Sequence, residues 1–214
     1  PGSKKLIALD TFKKNLATVL EKDKEQLQAN LSYFLKAVIP EAEKLGVRMA
    51  VHPDDPPFSV FGVPRIVSNY QDIKFLLDCC PSPSNGLTFC SGSLGASADN
   101  DLMRIIVDFG DKIHFIHLRN VRLEADGSFY EADHLNGSVP IEKVMKAIVK
   151  QQQKRYENGI GIVSIPMRPD HGHVLLDDKK RQNEFYSGYS LIGRAIGLAQ
   201  LTGLEKGIRE VLQV

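Results

Sequence analysis

An excess of either charge is missing from this sequence: 27 Lys and Arg stand against 26 Asp and Glu, a formal net charge of +1 over 214 residues. A balance this close to neutral sets up no extended field, which argues against nucleic acid or an anionic membrane as a partner. Long hydrophobic runs are missing too, and no stretch approaches the length needed to span a bilayer. Cysteine is scarce, three in all, two of them adjacent (Cys79 and Cys80). That is no disulfide framework, and it points to a reducing, cytoplasmic setting. With no similar repeats, low-complexity tracts or linkers, residues 1–214 read as a single domain. No Gly-rich phosphate loop follows any apolar segment, which weakens a nucleotide-binding reading.

What is there is an alternation. Apolar residues from Leu27 to Leu45 recur at three- and four-residue steps, so residues 23–45 read as an amphipathic helix, bent by Pro40 and capped by Gly46. Asp10 and Thr11 are N-cap candidates for a shorter helix before it. Short apolar strands follow at 47–51, 87–90, 113–118 and 160–167, with helices over 68–80, 99–109 and 140–156. Residues 91–95 read as a small-residue loop, and 121–136 as a long mixed loop containing an Asp126-Gly127 turn. The chain closes with a helix over about 191–201 and a last short one beyond Gly203. Strand and helix in alternation predict a parallel α/β sheet with right-handed crossovers. Barrels and open doubly wound sheets share this pattern.

In a parallel sheet all strand ends lie on one face, and barrel closure aims them at a common axis. The four ends here deliver His52, Cys90, His117 and then Asp170 with His171. Two imidazoles, a thiolate and a carboxylate form a complete donor set for a divalent first-row metal, and the thiolate favours iron, manganese or zinc over magnesium or calcium. His114 precedes His117 by three residues, so the pleat puts it on the opposite face. Four protein ligands leave two positions on an octahedral ion, which suits a chelating substrate such as a carboxylate with an adjacent hydroxyl. Arg119 and Arg168 near the same ends would neutralise that carboxylate through forked hydrogen bonds. Asp54 and Asp55 either orient His52 or cap their loop. Tyr189 offers a phenol for proton transfer, although an ordinary buried tyrosine has the same pattern.

Five motifs occur in an order that resembles the mannonate dehydratases. They are His52-Pro53-Asp54-Asp55-Pro56-Pro57, Cys90-Ser91-Gly92-Ser93, His117-Leu118-Arg119-Asn120, Arg168-Pro169-Asp170-His171-Gly172-His173 and Gly188-Tyr189-Ser190-Leu191-Ile192-Gly193-Arg194. That family is similar to the xylose-isomerase-like TIM barrels, and the resemblance runs from Leu27 onward. It implies a parallel (β/α)8 barrel, of which this chain covers roughly the C-terminal half. The implied activity is removal of water from D-mannonate to give 2-keto-3-deoxy-D-gluconate in hexuronate breakdown. The implied cofactor is Mn2+ or Fe2+, held by His52, Cys90, His117 and Asp170. His171 and Tyr189 become the proton-transfer pair, and Arg119, Arg168 and Asp54 are left to the substrate. A homodimer is the expected assembly.

Two departures stand out. The family often carries Asn-Pro before the Gly-Tyr pair, whereas Phe185-Tyr186-Ser187 precedes Gly188 here, so Tyr186 competes with Tyr189. Members also carry a substantial segment before the part matching residue 1, and four strands cannot close a barrel, so an upstream polypeptide supplying the missing strands is expected. A sugar isomerase or epimerase on the same barrel is a second reading, disfavoured by the arginines and the thiolate. A repair nuclease is disfavoured by the neutral charge. An inactive half-barrel that works only with a partner piece is the non-enzymatic alternative.

Overall fold

A computed structural model describes residues 7–161, 163–180, 186 and 188–214. Ile162, Phe185 and Ser187, on which parts of the expectations above fall, lie outside the described residues.

The first helix, α1 (Leu9–Leu20), is preceded by Ala8 with no side-chain cap, so Asp10 and Thr11 lie within it and do not cap it. In α2 (Lys24–Lys44) the cap is Asp23, whose carboxylate accepts from the Gln26 N–H at 2.7 Å. Its apolar stripe buries Leu35, Ile39 and Ala42, and the helix runs on through Pro40. Gly46, at φ +65°, ends it. The Val47 and Gly46 amides donate back to the Ala42 and Glu43 carbonyls, a closure that requires a left-handed residue after the helix.

After α3 (Tyr70–Asp78) come β1 (Leu87–Cys90), α4 (Ser91–Gly95), α5 (Leu102–Phe109) and β2 (Ile113–His117). The hairpin β3 (Val121–Leu123) and β4 (Phe129–Glu131), α6 (Ile141–Glu157), β5 (Met167–Arg168) and α7 (Leu191–Leu212) complete the order. Among the described residues β1, β2 and β5 form a parallel sheet in that order, and Val51 adds a parallel bridge to Leu87 at the far edge. The expected parallel α/β sheet is therefore present. Its outer segments are shorter than expected: 47–51 contributes one bridge, and 160–167 only Met167–Arg168. Among the described residues each has a ladder on one side only, and Pro166 has no N–H to give to it.

Pairing sets the faces. Cys90 lies opposite His117, and His117 opposite Arg168, while Phe89, Ile116 and Met167 alternate to the other face. There Phe89 and Ile116 join Leu35, Ile73, Ile105 and Val144 in one buried cluster. All four residues of β1 are buried, as a strand covered on both faces requires.

Three further expectations are corrected. Residues 91–95 are a short helix, α4, and the long loop 121–136 contains a hairpin. Its strands are three residues each, too short to show alternation. Gly203 does not divide the C-terminal region, because α7 is continuous to Leu212. An interior glycine costs a helix about 1 kcal/mol, and contacts of Leu201, Leu204, Ile208 and Leu212 with the core hold the helix across it.

Candidate metal centre

The aligned ends of the sheet bring four donors to one place. One ligand atom each from His52, Cys90, His117 and Asp170 lie within 4.8 Å of one another. His52 Nε2 is 3.1 Å from His117 Nδ1, His117 Nδ1 is 3.5 Å from Asp170 Oδ2, and Cys90 Sγ is 4.0 Å from the same oxygen. Atoms about 2.0–2.3 Å from a shared ion lie roughly 3–4 Å apart, so the spacing fits a single divalent metal. The ring orientation fits as well. His52 Nδ1 lies 2.7 Å from the Pro53 carbonyl. A carbonyl only accepts, so the proton sits on Nδ1 and the Nε2 lone pair faces the other donors.

Local backbone aims the two most buried ligands. Cys90 ends β1, and its sulfur accepts from the Ser93 N–H at 3.5 Å and the Ser93 hydroxyl at 3.1 Å. Asp170 has φ +67° in a tight turn closed by the His171 N–H to the Pro169 carbonyl. A non-glycine residue there costs on the order of 1–3 kcal/mol, strain of the kind that collects at functional sites. Burial pushes the Cys90 thiol up to about 11, against the pull of the Ser93 bonds. Burial likewise lowers His117 to about 4, although Asp170 draws it the other way. His114 points elsewhere, its Nδ1 against the Met49 carbonyl.

Above the donors lies an open cavity of about 1000 Å³. His171 lines it with Nε2 3.8 Å from Asp170 Oδ2, and its ring meets the Tyr189 ring edge-on at 5.2 Å. A bridge between Gly172 and Tyr189 ties the two loops together. Tyr186 also lines the cavity but is 72% exposed, against 38% for Tyr189. Arg168 stands half-exposed on the wall, donating to Asp170 Oδ1 at 3.0 Å.

Two of the residues expected at the substrate are engaged elsewhere. Asp54 is absent from the cavity wall. Its carboxylate accepts the Ile66 and Val67 amides at 2.8 and 2.7 Å and so caps its own loop. Arg119 does line the cavity, but its Nη1 donates to Asp55 at 2.7 Å and its Nε to Glu131 at 3.0 Å. Burial works against that cation, and the Glu131 and Asp55 carboxylates outweigh it, holding Arg119 above its ordinary pKa. Glu131 was not singled out in the sequence. Its only local signal is the Asp126-Gly127 turn, which marks a hairpin without saying what the hairpin reaches.

An α/β protein whose parallel strands deliver two imidazoles, a thiolate and a carboxylate to one point has the build of a metal-site protein. Residues 1–214 match D-mannonate dehydratase (UxuA), and the chain belongs to that family. A mannonate dehydratase of Saccharophagus degradans is 46% identical over 213 residues, covering 100% of this chain and 53% of that relative. Another, of Chromohalobacter salexigens, is 46% identical over 212 residues, covering 99% and 53%. The crystal structure of mannonate dehydratase from Streptococcus suis serotype2 aligns with a TM-score of 0.82 at 30% identity, covering 98% of this chain and 57% of that one. The chain thus spans about half the length of the curated relatives it matches.

Proposed function

We propose that this chain carries the metal centre and the proton-transfer groups of a mannonate dehydratase, which converts D-mannonate to 2-keto-3-deoxy-D-gluconate and water in hexuronate breakdown. The observation that carries the reading is the convergence of His52, Cys90, His117 and Asp170 in a member of this family. In this reading residues 1–214 form one domain that supplies roughly the C-terminal half of a (β/α)8 barrel. The sheet face bearing Cys90 and His117 then looks into the barrel axis.

His52 Nε2, Cys90 Sγ, His117 Nδ1 and an Asp170 oxygen would hold the ion, manganese or ferrous iron. Bound there, the ion would supply Lewis-acid stabilisation of the charge that develops on the C1 carboxylate as the C2 proton leaves. Arg168, half-exposed beside Asp170, orients the carboxylate. The C2 proton is only weakly acidic, so its removal needs a positioned base, and the C3 hydroxyl needs a proton to depart as water. His171 Nε2 and the Tyr189 hydroxyl, their rings in contact, divide these two transfers. The C2–C3 enol that results tautomerises to the 2-keto acid.

The test is a 2-keto-acid assay of the whole protein on D-mannonate, after chelation and again after adding Mn2+ or Fe2+, with metal analysis in parallel. One ion per chain and metal-dependent product are expected. A protein that binds the ion yet leaves D-mannonate intact, or isomerises an aldose instead, overturns the reading.

A further inference from the structure

The hairpin β3–β4 ends at Glu131, beside His171. It starts directly after Arg119 and Asn120, and its pairing sets Glu131 opposite Val121, which returns the chain to the strand ends it left. From there Glu131 Oε2 lies 2.8 Å from His171 Nδ1, and the same carboxylate receives Arg119 Nε on both oxygens at 3.0 and 3.2 Å. A few residues on, His134 Nε2 donates to the His171 carbonyl at 2.7 Å. One segment therefore grips both the backbone and the ring of His171, and Arg119, braced by Asp55, keeps the gripping carboxylate in place.

We propose that Glu131 is a positioning residue for His171. Its carboxylate accepts from Nδ1–H and so selects the tautomer whose Nε2 lone pair faces Asp170 and the cavity. A histidine side chain in water favours the opposite tautomer, with the proton on Nε2, which could not accept a proton from the cavity side. The consequence for turnover rests on the dehydratase reading, whereas the choice of tautomer does not.

Nitrogen-15 NMR of the whole protein with labelled histidine reads the tautomer directly, with the His171 signals assigned by their loss in His171→Asn. In metal-free and zinc-loaded protein at mildly alkaline pH, wild-type His171 should show a protonated Nδ1 and a bare Nε2. In Glu131→Ala it should shift to the Nε2–H form or average between the two. If alanine unfolds the hairpin, Glu131→Met fills the same space without a comparable acceptor and makes the same test. With D-mannonate, kcat of the variant should fall roughly 10- to 100-fold, as for other residues that orient a functional histidine, with KM and bound metal retained. An Nε2–H tautomer in the wild type, or the same tautomer with and without Glu131, overturns the proposal. A wild type that shows the expected tautomer but no turnover of D-mannonate leaves Glu131 standing and removes the dehydratase reading alone.

Discussion

Arg119→Met should cost this fold more than any surface substitution, and the structure sets the scale. The side chain is 7% exposed, and it joins Asp55 at 2.7 Å and Glu131 at 3.0 Å, which are 34% and 27% exposed. Breaking a buried ion pair by removing one partner costs about 3–5 kcal/mol, because the other charge is left uncompensated. Here both carboxylates keep partial access to water, so the low end applies, about 3 kcal/mol. At roughly 2–4 °C per kcal/mol for a domain of this size, the melting temperature should fall by roughly 6–12 °C. Arg119→Lys should recover only part of it, since an ammonium cannot reproduce the fork. Differential scanning calorimetry of the metal-free protein measures the shift, and repeating it in about 1 M salt separates buried from surface electrostatics. A drop below 2 °C, or one that vanishes in salt, would show that Arg119 is a solvated surface charge and not a strut.

Metal affinity should rise with pH. The Cys90 thiol, pushed up to about 11, keeps its proton in the metal-free protein, while His117, lowered to about 4, has none to give near neutrality. Binding therefore expels one proton, and Kd should fall about tenfold per pH unit between about pH 6 and 10. Titration calorimetry in buffers of different ionisation enthalpy counts that proton, and Cys90→Ser should abolish both the release and the slope. His171→Asn and Tyr189→Phe should each retain metal by elemental analysis while losing roughly 10²–10⁴-fold in turnover; full activity in both would remove the proton-transfer assignment. Gly203→Ala should stabilise the protein by about 0.5–1 kcal/mol in a denaturant titration, because Gly203 sits inside α7 and a Cβ there meets nothing within 4 Å.

Much of the architecture was legible because its signals are local. The stripe of α2, the Gly46 cap and the run Leu87–Cys90 follow from side-chain periodicity and backbone preference, which act over a few residues. The errors fell where local preference is weak against packing. Gly203 looks like a break until the buried face of α7 is counted, and the three-residue strands of the hairpin are too short to signal themselves.

The same division runs through the site. That His52, Cys90, His117 and Asp170 could meet was readable in advance, since parallel strands end on one face and each residue lies at or just past such an end. What those four do not specify is how the rest of the wall is wired. Asp54 and Asp55 are neighbours in sequence, yet one caps a loop through two backbone amides and the other holds Arg119. Glu131 and His171 are separated by 40 residues and share a hydrogen bond. Such pairings depend on the direction in which a hairpin leaves the sheet and on where a buried cation finds its carboxylates. Both are settled by close packing and by the cost of an unpaired buried charge, and neither leaves a period or a spacing in the chain.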